Sequence, residues 1–150
     1  LGVPDQPGVS AALFEPLAEA NVNVDMIVQN TSTEGKTDIS FTMPMADLEE
    51  AISIVQKVAE AIGAAKVTHD NGIAKVSIVG AGMKSSPGIA AKMFRVLADE
   101  GVNIQMISTS TIRVSIIIPS ADMERAAIAL HTAFGLDSGA DYSAPLPERK

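Results

Sequence analysis

Apolar side chains recur at helical spacing in two matching stretches, and short β-branched runs fill the space around them. Residues 9–20 (VSAALFEPLAEA) and 89–100 (IAAKMFRVLADE) each follow a Pro-Gly pair, and Val9, Leu13, Phe14 and Leu17 fall on one face of the first. Both stretches are expected to be amphipathic helices. Pro16 lies inside the first, where its ring removes an amide donor, so a kink or a lost hydrogen bond is expected there. Residues 23–29 and 103–108 read as short strands, each running through a turn into a second strand, 38–43 or 112–118, rich in β-branched residues. Pro44 and Pro119 close those strands, and Ala46-Asp47 and Ala121-Asp122 open further helices over 48–62 and 123–134. A strand at 65–68 precedes the Asn71-Gly72 turn, and a strand at 73–79 follows it.

The elements repeat because the sequence repeats. At an offset of 80, Pro7-Gly8 falls on Pro87-Gly88, Ala11 on Ala91, Phe14 on Phe94, Leu17-Ala18 on Leu97-Ala98, Val22-Asn23 on Val102-Asn103, and Met26-Ile27 on Met106-Ile107. The offset then drops to 75, where Ser40 meets Ser115, Pro44 meets Pro119, Ala46-Asp47 meets Ala121-Asp122, Glu49 meets Glu124 and Ala51 meets Ala126. The second copy lacks the hairpin insertion around Glu34-Gly35-Lys36. Shared dipeptides in one order identify a duplication, which has to be recognised before any fold is assigned.

Each copy reads as β-α-β-β-α-β, a ferredoxin-like unit of the α+β class with its helices on one sheet face. The expected organisation is a first domain over 1–72 with a truncated opening strand, a second over 73–138, and a C-terminal tail over 139–150 that forms a loop or weak edge strand. The chain opens on Leu1-Gly2-Val3-Pro4-Asp5 without Met, so it is expected to start inside a strand of a longer polypeptide.

Composition narrows the function. Apolar residues at 47% and charged residues at 19% support a buried core rather than disorder. The formal net charge of −7 opposes binding to phosphate backbones or anionic lipid, and one Tyr, four Phe and no Trp offer little surface for stacking bases. No nucleic-acid or membrane partner is expected. The absence of Cys excludes disulfides, a thiolate zinc site and a cysteine nucleophile, and an intracellular location fits best. No apolar run is long enough for a membrane-spanning helix, and the start lacks the basic and apolar regions of a signal peptide.

Catalytic signals are weak. The loop from Gly80 to Gly88 is Gly-rich and contains Lys84-Ser85, but Met83 stands where a phosphate loop needs Gly before the Lys, and Ser85 stands where G-x-G-x-x-G needs its third Gly. His69 and His131 lie in different copies without ligand-spaced partners, so no metal is expected. No nucleophile elbow is present. Neither a catalytic residue nor a cofactor is therefore expected. The turns Asp5-Gln6-Pro7-Gly8 and Ser85-Ser86-Pro87-Gly88 instead open helices whose first amides suit a carboxylate, with Asp5, Gln29 and Asn103 as acceptors for an ammonium group. The competing reading is that Asp5, Ser85 and Ser86 only cap helices and shape turns.

GVPDQPG, VNVDMIVQN, TDISFT, KVSIVGAGMKSSPG and VNIQMISTSTIRVSIII resemble the tandem ACT domains at the C-terminus of bacterial aspartate kinases, over residues 1–136. The resemblance implies a regulatory subunit or regulatory fragment, without the kinase domain, that mediates cytoplasmic feedback inhibition of an aspartate kinase catalytic partner by threonine and lysine. It also implies a homodimer in which the first copy of one chain packs beside the second copy of the other, giving composite sites. The threonine site would join Asp5, Gln6, Pro7, Gly8, Val9 and Gln29 to Asn103, Ile104 and Gln105. A second effector site, for lysine, would join Lys84, Ser85, Ser86, Pro87, Gly88 and Ile89 to Asn23, Val24, Asp25, Ser110 and Thr111. Two positions depart from the family pattern: Ser86 replaces a His, and Thr111 replaces a Glu whose carboxylate would pair with a lysine ammonium. Lysine is therefore expected to bind more weakly than threonine. The alternatives are a free-standing amino-acid sensor acting on an unrelated enzyme or transcription factor, and a small catalytic domain.

Overall fold

A computed structural model of the chain describes residues 1–30, 34–80 and 88–138. The chain divides into two compact units, the first ending at Asn71 and the second beginning at Gly72. Unit one contains β1 (Val3–Pro4), α1 (Val9–Glu19), β2 (Ile27–Gln29), β3 (Lys36–Thr37), β4 (Ile39–Phe41) and α2 (Leu48–Ile62). Unit two contains β5 (Ile73–Val79), α3 (Ile89–Asp99), β6 (Met106–Thr109), β7 (Arg113–Pro119) and α4 (Met123–Ala133). A single 3-10 turn leads into α2 at Met45–Asp47 and into α4 at Ser120–Asp122.

The duplication holds at the level of single hydrogen bonds. The Asp25 amide donates to the Thr42 carbonyl at 3.1 Å, and its repeat equivalent, the Gln105 amide, donates to the Ile117 carbonyl at 2.8 Å. The Val22 amide donates to Leu17 in unit one, as Val102 does to Leu97 in unit two. Strand register agrees too: Ile27 faces Phe41 where Ile107 faces Ile116, and Gln29 faces Ile39 where Thr109 faces Val114. Such agreement follows if both copies use the same apolar positions to choose which strand face meets the helices.

Unit two carries the larger core. Its sheet runs in the order β5-β7-β6 with antiparallel neighbours. Alternate residues Val114, Ile116 and Ile118 of the central strand pack with Met93 and Leu97 of α3 and with Ala126 and Leu130 of α4. Burying each Ile or Leu contributes about 1.5–3 kcal/mol. In unit one, Leu17, Val22 and Ala51 form the buried centre, with half-buried Phe14, Val24, Phe41 and Met43 around it. Phe14 and Phe41 meet edge to face, with ring centroids 5.2 Å apart. Helix α1 packs on α2, and α3 on α4.

Two expectations change. Residues 65–68 form no strand: Ala65 and Lys66 donate to the Leu1 carbonyl, the Leu1 amino group donates to the Lys66 carbonyl, and the exchange goes no further. The strands expected at 23–29 and 103–108 begin later, at Ile27 and Met106, because the preceding segment makes only isolated backbone bonds. Pro119 closes β7 as its last residue, paired with Ile73. Helix α1 forms through Pro16, and because Pro16 has no amide hydrogen, the bond it would donate to the Ala12 carbonyl is lost, as expected. The expected tail over 139–150 lies outside the described residues.

Sheet closure differs between the units. In unit one, β4 falls within the stretch equivalent to β7 and β3 lies just ahead of it, and β3 pairs with β1 while β4 pairs with β2 in separate two-stranded ladders. Asp38 turns its carboxylate onto the Gly2 amide at 2.8 Å while its backbone carbonyl accepts from Asn30. The buried Thr37 hydroxyl donates to the Asn30 carbonyl. The Asn30–Asp38 backbone bond has its counterpart in unit two, where the Ser110 amide donates to the Arg113 carbonyl at 2.7 Å.

Candidate functional site

Helices α1 and α3 start alike. Gly8 (φ 91°) and Gly88 (φ 101°) occupy the position before the first helical residue in the left-handed conformation, which a side chain disfavours. Neither helix has a side-chain cap or an acidic residue in its first turn. By contrast, α2 begins with Glu49 and Glu50, and α4 with Glu124. The positive ends of α2 and α4 are thus offset by their own carboxylates, whereas α1 and α3 keep theirs uncompensated. A helix start without an acidic residue in its first turn is of the kind that suits an anion.

The turn before α1 is held by backbone bonds. The Gln6 amide donates to Pro4, the Val9 amide to Gln6, and the Ala12 amide to Gly8. The Asp5 amide donates to the Gly35 carbonyl at 2.9 Å, so the hairpin insertion peculiar to the first copy braces this turn. Asp5, Gln6, Pro7 and Gly8 are exposed, and Val9 is half-buried. Asp5 does not cap α1, which removes one purely structural explanation for it. Gln29, the last residue of β2, reaches the same turn, where its Oε1 accepts from the Ser10 hydroxyl at 3.4 Å. Ser10 was not among the residues expected at the site, and its only signal in the sequence is that Ala90 stands at the equivalent position in the second copy.

In unit two, Asn103 and Gln105 are exposed and Ile104 is half-buried against the core. Their first-unit equivalents behave the same way: Asn23 and Asp25 are exposed, and Val24 packs on the core of unit one. In the second turn, Gly88 and Ile89 are described, while Lys84, Ser85, Ser86 and Pro87 lie outside the described residues. Ser110 and Thr111 are exposed, and the Ser110 hydroxyl accepts from the Ile112 amide at 3.4 Å.

The other polar clusters tie elements together. Arg125 donates to the Glu100 carbonyl at the end of α3 and to the Asp122 carboxylate. Lys92 lies 4.7 Å from the centre of the Phe134 ring. The Asp137 carboxyl is held below its ordinary range by a hydrogen bond from the Thr132 side chain, and then by His131. Among the described residues, no group of three or more His, Cys, Asp or Glu gathers at metal-binding distance, and no helix is long and apolar enough to cross a membrane.

A family model described as ACT domain matches residues 1–58 and again 76–134. An aspartate kinase of Stutzerimonas stutzeri (strain A1501) is 50% identical over 143 residues, covering 95% of this chain and 35% of that protein. The chain therefore spans about a third of that relative's length. The regulatory subunit of aspartate kinase from Thermus thermophilus, solved in a ligand-free form, is 43% identical with a TM-score of 0.83, covering 89% of this chain and 87% of that one. E. coli aspartokinase III, solved in complex with lysine and aspartate in its T-state, is 25% identical with a TM-score of 0.58, covering 85% of this chain and 27% of that one.

Proposed function

The chain belongs to the ACT-domain family as it occurs in the regulatory part of aspartate kinases, and from this premise we propose that it is an amino-acid-binding module mediating feedback inhibition. It senses threonine, with lysine as a second effector, in the cytoplasm, and conveys occupancy to an aspartate kinase catalytic domain.

The observation that carries this reading is the contrast among the four helices. Among the described residues, α1 and α3 open on a left-handed glycine without an acid in the first turn, and α2 and α4 do not. In the threonine site, the amides near Gly8 and Val9 take the carboxylate, Asp5 takes the ammonium or hydroxyl, and Gln29 makes a further polar contact. Gln6 and Pro7 shape the turn, while Asn103, Ile104 and Gln105 from the second copy of a partner chain close the pocket. The second site would bring residues 84–89 together with Asn23, Val24 and Asp25 of a partner chain, with Ser110 and Thr111 as further polar contacts. Helix-end binding of an anion contributes about 0.3–1 kcal/mol when exposed and up to about 2 kcal/mol when partly buried. The effector inhibits only to the extent that it binds the inhibited conformation more tightly than the active one.

Homodimerisation is part of the proposal. Ile27 and Ile107 occupy equivalent places on β2 and β6, each at the side of its sheet, and are 51% and 44% exposed. An open strand edge bearing apolar residues favours pairing with another copy. Sedimentation with threonine present is expected to show a dimer; a monomer at micromolar concentration contradicts this part.

Calorimetric titration of the chain with threonine and with lysine tests the whole. Threonine is expected to bind, and lysine to bind more weakly because Thr111 lacks a carboxylate. Thr111→Glu should strengthen lysine binding about tenfold, the equivalent of one charge-assisted hydrogen bond. Absence of binding by both amino acids overturns the proposal.

A further inference from the structure

We propose that Ser10 sets effector preference at the first-unit site by orienting the carboxamide of Gln29, an inference that rests on the reading of that site as an amino-acid pocket. Ser10 is the second residue of α1 and Gln29 the last of β2, and the bond between them, Oγ to Oε1 at 3.4 Å, crosses from helix to strand.

A carboxamide carries one acceptor oxygen and one NH2 donor. With its oxygen turned to accept from the Ser10 hydroxyl, Gln29 directs its NH2 away from Ser10, toward whatever occupies the pocket. That group complements an oxygen with a lone pair, such as a hydroxyl or carboxylate. It offers nothing to a side-chain ammonium, which has donors only. The first unit therefore selects a hydroxyl-bearing amino acid over one with a cationic side chain.

The second unit lacks this device. The positions equivalent to Ser10 and Gln29 are Ala90 and Thr109, so neither the orienting hydroxyl nor the carboxamide is present. The two pockets thus share the backbone that receives a carboxylate and differ in the polar pair beside it. Ser10 is a positioning residue that acts through Gln29.

The test titrates the whole 150-residue chain, Ser10→Ala and Ser10→Thr, each with threonine and with lysine. Ser10→Ala is expected to bind threonine about fivefold more weakly, the equivalent of one neutral hydrogen bond, and to lower the threonine-to-lysine preference by a similar factor. Ser10→Thr keeps the hydroxyl and should restore both values, and thermal unfolding should be unchanged in either variant. If Ser10→Ala keeps the wild-type preference, or Ser10→Thr behaves like Ser10→Ala, the inference is overturned while the pocket stands. If the wild-type chain binds neither amino acid, the pocket fails and this inference falls with it.

Discussion

The two units follow one plan, yet they close their sheets differently. In unit two, a seven-residue central strand pairs along its length with β5 and along four residues with β6, and residues 114–118 are all buried. In unit one, the matching stretch 38–44 contains only the three-residue β4, and the two-residue β3 precedes it at the hairpin insertion. The Gly35 carbonyl of that insertion accepts from the Asp5 amide. The first copy therefore has a shorter ladder than the second, together with an insertion that braces the turn before α1. The comparison shows that a duplicated unit can keep its helix starts unchanged while its sheet diverges, because the two depend on separate groups of residues.

The sharpest way to break this comparison is to cut equivalent core positions. Ile118 is fully buried, whereas its equivalent, Met43, is half-buried at the margin of the smaller core. Ile118→Ala should cost about 2–5 kcal/mol, with Met43→Ala at or below the lower end of that range. Urea denaturation measures both, and equal costs would mean that the cores are equivalent in strength. Site chemistry is next. Asp5 corresponds to Ser85 in the second copy, so Asp5→Ala should weaken threonine binding by about 2–5 kcal/mol while leaving the fold intact. Unchanged affinity by calorimetry would remove Asp5 from the site.

Two smaller effects sharpen the contrast. Gly2 has φ +63°, and a Cβ there would lie 2.7 Å from the Ala65 Cβ. Gly2→Ala should therefore cost about 1–3 kcal/mol and speed hydrogen exchange at the Ala65 and Lys66 amides, with no change at β5 or β7. Equal acceleration in β7 would show that the two units do not respond separately. The smallest effect belongs to unit two. The Asp137 pKa is depressed in the folded state, so its contribution is present above the usual aspartate range and is lost as pH falls through the lowered value. Acid unfolding should therefore be less steep in Asp137→Asn than in wild type below about pH 4, and identical profiles would mean that the Thr132 and His131 bonds contribute nothing in solution.

Much of this molecule was legible locally. The starts of α1 and α3 follow from Pro-Gly and those of α2 and α4 from Ala-Asp, and these described helices form within one residue of their expected limits at each end. The repeat, visible as Val-Asn and Met-Ile pairs at fixed offset, carried over to individual backbone bonds. Helices are legible because their hydrogen bonds are local, so a dozen residues contain both the signal and its consequence. The sequence also located the two glycine turns, since a Gly just ahead of a helical pattern marks a backbone that turns sharply before it coils.

Tertiary structure decided the rest. Strand limits depend on a partner elsewhere in the chain: residues 65–68 have β-forming character at Val67 and Thr68, but beyond Leu1 they have no ladder to join. Asp38 reads as the first residue of a strand, and only the approach of Gly2, 36 residues away, gives its carboxylate a backbone amide to accept from. Ser10 reads as an ordinary exposed helix residue until β2 brings Gln29 beside it. In each case the deciding contact joins residues far apart in sequence, and its free energy exists only once the chain has closed the intervening loop.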